Sequence, residues 1–130
     1  MPDAVPRHRS RERALEILYE AFIKERPVAQ IVTSLAMTPD AYAVTLARAA
    51  EEHRISSDER IAGHLRDWTL ERLALVDRLI MEMALGELAL EESPPAAVVL
   101  NEAVELAHDF STEGSPSFVN GVLAACISDA

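Results

Sequence analysis

The sequence is poor in the residues that build several common kinds of functional site. It has only four glycines in 130 residues, and they are not spaced as in a phosphate-binding loop. Its single cysteine, Cys126, excludes an intrachain disulfide framework and fits a reducing compartment. No apolar run approaches the ~20 residues that cross a bilayer. The first residues, MPDAVPRHRSRER, also lack the apolar core of a secretion signal. These absences predict a cytoplasmic protein without a membrane segment.

Positive charge is also scarce over most of the chain. The sequence has 12 basic and 22 acidic side chains, for a formal net charge of −10. Residues 1–13 nevertheless carry four arginines against two acids, so the remaining 117 residues hold eight basic and 20 acidic side chains. Such an acidic body does not coat nucleic acid over its whole surface. We predict one domain spanning residues 1–130 with a flexible basic arm at residues 1–10. By charge alone, the arm also fits a merely solvated terminus.

Apolar residues recur at three- and four-residue steps along the chain, which predicts helices. A first stripe runs through residues 11–24, and a turn with a short helix follows. The stretch TPDAYAVTLARAAEEH predicts a third helix, capped by Thr38 with Pro39 in its first turn. Ser56, three residues before Glu59, predicts a capping box for the next helix.

The second half of the chain is the more apolar. One helix is predicted from Thr69 to about Leu90, either central in the core or packed against a partner, and the prolines of EESPP end it. Another follows from Ala96 to Phe110. The stretch SPSFVNGVL contains Asn-Gly, a β-hairpin signal, but no strand alternation flanks it. Ser115 is therefore predicted to cap a last helix, and six or seven helices without strands predict an all-α, single-domain helical bundle.

Candidate catalytic and metal groups are equally scarce. Glu105 and His108 have the Glu-x-x-His spacing of di-iron bundles, but the second such pair is missing. Cys126 lies in an apolar stretch without an obvious base and is predicted to be a buried structural thiol. The residues therefore predict neither an enzyme nor a bound cofactor or metal.

Three stretches together resemble a known family. They are RSRERALEILYEA near the start, VDRLIMEMALGELALEESPPAAVVLNEAVELA in the middle and FSTEGSPSFVNGVL near the end. The chain is identified by them as a member of the NusB transcription antitermination family. GHLRDWTLERLALVDR is most similar to the actinobacterial branch of that family.

The resemblance implies two packed helical subdomains and a role in transcription. It implies binding to boxA-type single-stranded RNA together with the ribosomal protein NusE. It also implies indirect association with other Nus factors and RNA polymerase, and processive transcription of ribosomal RNA operons. Two alternatives stay open: a helical protein-interaction homodimer, or an accessory partner of an RNA-modifying enzyme. Sedimentation alone and with NusE separates antitermination from the homodimer.

The resemblance also implies which residues bind. Cations along phosphates and aromatic rings under splayed bases are what hold single-stranded RNA. The implied RNA-binding residues are Arg7, His8, Arg9, Arg11, Arg13, Tyr19, Ser115, Phe118 and Asn120. The implied partner-binding residues are Asp77, Glu82, Gly86 and Glu87.

Each of these residues has an ordinary structural alternative. Tyr19 and Phe118 fit core packing as well as base stacking. Asp77 fits an exposed acid that is favoured by the helix dipole in a first turn. Gly121 is predicted to let a neighbouring helix approach closely, and Asn120 to bind a polar loop or the RNA.

Overall fold

The computed structural model describes residues 5–129, and these form seven α-helices and one 3-10 turn without a strand. In the first half lie α1 (Arg7–Lys24), α2 (Val28–Ser34), α3 (Ala41–Glu52) and α4 (Arg54–Ala62). The 3-10 turn Leu70–Arg72 leads to α5 (Leu75–Leu88), α6 (Ala96–Phe110) and α7 (Ser115–Ser128). The prediction of an all-α bundle is confirmed.

Helix α5 is the centre of the bundle, as its apolar sequence predicted. Every residue from 79 to 87 is buried. One side of α5 packs on α3, which also packs on α1, and the other side packs on α6, which pairs with α7. The helices before and after residues 63–74 thus form two layers that share one hydrophobic core. No helix in residues 5–129 is both long and apolar enough to cross a membrane.

Several predicted helix starts are wrong by a few residues. Asp40, not Thr38, caps α3, and its side chain accepts a hydrogen bond from the Ala43 amide at 3.1 Å. The carboxylate displaces the predicted cap because it lies one residue before the helix, where it reaches a free amide. The α4 helix begins directly at Arg54, so Ser56 lies inside it and donates to the His53 carbonyl at 3.1 Å.

The segment predicted as one helix from Thr69 to Leu90 is divided. Leu73 and Ala74 have extended backbone angles, and α5 begins only after them. At the last helix, Gly114 occupies the N-cap position and Ser115 lies within α7. As a result, Asp77 lies in the first turn of α5 and Ser115 is the first residue of α7.

Residues 7–10 of the predicted flexible arm belong to a helix instead. Helix α1 already begins at Arg7, and Ser10 is fully buried and donates to Asp40 at 2.7 Å. Residues 1–4 of the predicted arm lie outside the described residues. The arginines that follow are therefore held on a helix.

Candidate functional site

A buried ion-pair network lies beneath the first turns of α1. The Arg11 side chain is 3% exposed and donates from Nε and Nη2 to the two carboxylate oxygens of Glu87, at 2.9 and 2.7 Å. Its Nη1 donates to Glu102 at 3.1 Å, and the Tyr42 hydroxyl donates to Glu87 at 2.6 Å. Four helices thus meet at one guanidinium–carboxylate pair.

The network has consequences for protonation. Burial, then the hydrogen bond to Glu87, raises the pKa of Tyr42 to about 12, so its hydroxyl stays a donor. Burial acts to lower the pKa of Arg11, but the hydrogen bond and charge of Glu87 outweigh it and raise that pKa. Arg11, predicted to bind RNA, and Glu87, predicted to bind a partner, instead satisfy each other inside the protein.

The other arginines at the start of α1 reach solvent. Arg7 and Arg9 are exposed, and the Arg7 guanidinium lies 3.7 Å from the centre of the Tyr42 ring. Arg13 is partly exposed and pairs with Glu16 at 3.0 Å. The cation–π contact fixes Arg7 on the same tyrosine that the buried network holds. Arg9 and Arg13 lie on one side of α1 and Arg7 on another, and the solvent-facing surface around the start of α1 that these three arginines border is named the arginine face.

An aromatic cleft lies between the 3-10 turn and the start of α7. Its cavity measures about 300 Å³ and includes Trp68, Arg72 and Phe118. Trp68 is 55% exposed and Phe118 is half-buried. Sequence reasoning missed both residues, because Trp68 directly precedes the predicted central helix and Arg72 lies inside it. The available signal in the sequence was a tryptophan with one arginine two residues before it and another four residues after it.

Asp77 and Ser115 form the polar wall of the aromatic cleft. Both are buried, and the Ser115 hydroxyl donates to Asp77 Oδ2 at 2.9 Å. Asp77 Oδ1 accepts from the Ser111 hydroxyl at 2.5 Å. Asp77 was predicted to contact a partner and Ser115 to contact RNA. In the structure the two side chains are instead hydrogen-bonded to each other, and these bonds fix the turn between α6 and α7 next to Phe118.

Glu82, also predicted to contact a partner, lies in the interior between α4 and α5. Its carboxylate accepts from Arg54 at 3.1 Å and from Arg78 at 3.2 Å. Burial, then a hydrogen bond to Asp58, raises the pKa of Glu82 to about 7, against the opposing charges of the arginines. Asp58 Oδ1 is buried without a hydrogen-bond partner, while its Oδ2 accepts from Arg78 at 2.9 Å.

This environment predicts a pH dependence of stability. The folded pKa of about 7 exceeds the ordinary 4.5, so the folded state binds more protons between those values. The free energy of unfolding should therefore fall as pH rises through that window. Glu82→Gln should remove much of this fall in urea titrations at several pH values from about 5 to 8. The exposed Glu92→Gln should keep it, and an equal slope in the Glu82 variant and the wild type would refute the assignment.

The two glycines of interest have different surroundings. A Cβ on Gly86 would lie 2.8 Å from the Ala50 amide nitrogen, so this glycine allows α5 to cross α3 closely. A Cβ on Gly121 would meet nothing within 4 Å, so the predicted close approach there is wrong. The adjacent Asn120 is exposed. Gly86, predicted to contact a partner, serves the core, because α3 occupies the space where its side chain would be.

An apolar groove runs along α1 toward the end of α6. Its cavity measures about 450 Å³, and Tyr19 and Phe110, 46% and 49% exposed, lie along it. The remaining apolar residues are Leu15, Ile23 and Val76, and the rim carries Glu12, Glu16, Glu20 and Lys24. Sequence reasoning assigned Phe110 to a core stripe. Its position at the helix end, where the stripe leaves the bundle, was the missed signal.

The arginine face, the aromatic cleft and the apolar groove all adjoin one end of α6. His8, between Arg7 and Arg9 at the start of α1, has a ring nitrogen within 4.8 Å of an Asp109 carboxylate oxygen, Phe110 lies in the groove, and Thr112 lines the cleft. Cations, exposed aromatic rings and an acidic-rimmed apolar groove therefore surround a single stretch of four residues.

Known proteins resemble this chain over nearly its full length. The family model described as the NusB family matches residues 8–128. A transcription antitermination protein NusB of Oceanobacillus iheyensis is 37% identical over 123 residues, which cover 93% of this chain and 98% of that protein. The sequence similarity is thus spread over the whole bundle.

Solved structures show the same arrangement of helices. A NusB structure from T. maritima superimposes with a TM-score of 0.84 at 32% identity, covering 98% of this chain and 94% of that one. The crystal structure of the antitermination factors NusB and NusE in complex with double-stranded RNA contains a chain that matches with a TM-score of 0.78 at 26% identity. That match covers 97% of this chain and 100% of the other.

Proposed function

The chain belongs to the NusB family, and on that premise we propose that it is a transcription antitermination factor that binds boxA-type single-stranded RNA together with a NusE-type ribosomal protein. The observation that carries the proposal is the meeting of the arginine face, the aromatic cleft and the apolar groove at one end of α6. The association of a related chain with NusE and RNA in a solved complex supports it.

The RNA is proposed to run from the arginine face to the aromatic cleft. Arg7, held against Tyr42, and Arg9 are both exposed to phosphates, and Arg72 offers a further cation beside the rings of Trp68 and Phe118. One splayed base stacked on an aromatic ring is worth about 1–3 kcal/mol. The proposed RNA-binding set therefore loses Arg11 and Ser115 and gains Trp68 and Arg72.

Electrostatics explain why a second protein is useful. Three or four phosphate contacts on a single strand correspond to a salt slope of roughly −2 to −3. That contribution is modest, and the net charge of −10 opposes it. A basic ribosomal protein next to the arginine face adds positive charge where the RNA binds, so the pair should bind RNA more tightly than this chain alone.

The apolar groove is the proposed docking surface for that protein. Its apolar residues lie within a rim of three glutamates and Lys24, and two of the glutamates pair with Arg13 and Lys24. The net negative charge of the rim complements a basic partner and speeds association. Tyr19 is thereby moved from the proposed RNA-binding set to the partner surface. The four residues first assigned to the partner are all buried in the folded chain and act by shaping the bundle.

Phe118→Ala should weaken boxA binding by about 5- to 150-fold, because a stacked base loses its platform. Fluorescence polarisation with labelled boxA RNA and a scrambled strand, in the presence of the NusE-type protein, measures this loss. Phe22→Ala is the matched control, since Phe22 is 41% exposed on α1 but does not line the cleft. Trp68→Ala repeats the test with a more exposed ring, and unchanged affinity in both variants would exclude the cleft as the RNA site.

Tyr19→Ala should weaken binding of the NusE-type protein by about tenfold or more, since exposed aromatic residues dominate interface energies. Calorimetric titration measures it, with Ile55→Ala as the control, because Ile55 is exposed on α4 and does not line the groove. An unaltered dissociation constant would remove the groove from the partner surface. If the chain sediments as a dimer and the Tyr19→Ala variant sediments as a monomer, the groove instead binds a second copy of the chain.

Under this proposal the protein acts in the cytoplasm as an adaptor between RNA and protein and has no catalytic role. Among the described residues, Cys126 is buried in α7, and burial raises the pKa of its thiol, which disfavours a nucleophile. Its link to other Nus factors and RNA polymerase is then indirect, through the RNA and the NusE-type protein.

A further inference from the structure

A histidine and two carboxylates converge where the first turn of α1 meets the end of α6. The Nε2 atom of His8 lies 3.4 Å from Glu12 Oε2. One ligand atom from each of His8, Glu12 and Asp109 lies within 4.8 Å of the other two. The three side chains are 44%, 30% and 39% exposed, so an ion can reach them from solvent. We propose that His8, Glu12 and Asp109 form a binding site for a divalent transition-metal ion of the Zn²⁺ type.

The spacing of the ligand atoms fits such an ion. Atoms bound at about 2.0–2.1 Å in a tetrahedral site lie about 3.3–3.4 Å apart. The His8–Glu12 pair already has that separation, because residues four apart share one face of a helix. Small side-chain rotations bring Asp109 to the same separation. Three protein ligands leave a fourth position for water, as in open zinc sites.

The second argument is the support behind His8. Its other ring nitrogen, Nδ1, lies 3.4 Å from Glu102 Oε2, and Glu102 Oε1 accepts from the buried Arg11 at 3.1 Å. Histidines that bind metals almost always direct their second nitrogen to a carboxylate or carbonyl, which fixes the ring. Here that carboxylate is itself held by the Arg11–Glu87 network. The imidazole is therefore oriented by the core of the protein.

The choice of metal follows from the donor set. One imidazole and two carboxylates suit Zn²⁺ and its neighbours in the first transition row, whereas Mg²⁺ prefers oxygen ligands and water. A bound ion would connect the first turns of α1, through His8 and Glu12, to the end of α6, through Asp109. It would also cancel two negative charges next to that face. The site adjoins the proposed RNA and partner contacts, since Glu12 also lies on the rim of the apolar groove. Metal binding by the chain alone requires neither RNA nor partner, so it tests the site independently of the proposed function.

Calorimetric titration of the full chain with zinc chloride, without RNA or partner, tests the site. We expect one equivalent to bind and Mg²⁺ at the same concentration to give no heat above dilution. His8→Gln and Asp109→Asn should each weaken Zn²⁺ binding by at least about tenfold. Because a ligand of the folded state stabilises it, Zn²⁺ should also raise the melting temperature of the wild type but not of these variants.

Asp129→Asn is the matched control, since Asp129 also contacts a histidine, His64, at a distant position. It should bind Zn²⁺ as the wild type does. Equal affinity in the wild type, His8→Gln and Asp109→Asn would overturn the proposal, as would loss of binding in Asp129→Asn alone. If a variant unfolds, shown by its circular dichroism, Glu12→Gln provides the same test from a third ligand.

Discussion

Glu87→Ala should lower the free energy of unfolding by about 3–5 kcal/mol, the largest effect expected of a single substitution here. The substitution leaves Arg11, a residue that is 3% exposed, without two of the three hydrogen bonds that its guanidinium donates. The Tyr42 hydroxyl loses its acceptor at the same time. Urea denaturation followed by circular dichroism measures the loss.

A double variant separates the cost of an unpaired charge from the worth of the pair. Arg11→Leu with Glu87→Leu removes both charges, and a buried pair replaced by apolar residues is often close to neutral. We therefore expect the double variant to be more stable than Glu87→Ala. The exposed Glu105→Ala on α6 serves as the control and should change the free energy by less than about 0.5 kcal/mol. A small loss in Glu87→Ala, similar to that control, would contradict the network.

Gly86→Val should lower the free energy of unfolding by about 3 kcal/mol, the upper range for overpacked cores. The new Cβ would lie 2.8 Å from the Ala50 nitrogen and 2.9 Å from the Ala49 carbonyl carbon, both backbone atoms that cannot rotate away. The gain in helix propensity over glycine is only a few tenths of a kcal/mol and does not compensate. Thermal and urea unfolding measure the difference.

Gly121→Val is the matched control for this substitution. Gly121 also lies inside a helix, but a Cβ there has open space around it. Its free energy of unfolding should stay within about 0.5 kcal/mol of the wild type. If both valine variants were equally stable, the close crossing of α3 and α5 would not depend on Gly86.

The comparison of the two glycines illustrates the limit of sequence reasoning. The close approach was predicted at Gly121, within SPSFVNGVL, and Gly86 was assigned to a partner surface. The crossing lies instead at Gly86. Which face of a helix meets a neighbour's backbone depends on how α3 and α5 pack, and local sequence does not encode that.

The acidic residues make the same point. The resemblance implied that Asp77, Glu82 and Glu87 contact a partner, which requires their carboxylates to be exposed. All three are buried. The partner that permits burial of Glu87 is Arg11, 76 residues earlier in the chain. A window of one or two helical turns contains no information on such a pair.

The sequence by itself determined that this protein is an all-helical bundle, because helical periodicity is a local pattern that recurs along the chain. It also determined the family, because the signature stretch SPSFVNGVL is a local motif. It further determined that arginines cluster near the N-terminus and that an aromatic residue, Phe118, lies in the first turns of the last helix. Only the tertiary structure decided which cations and rings are free to bind. Burial is a property of the packed chain, since a side chain reaches solvent or a counter-ion according to residues far away in sequence.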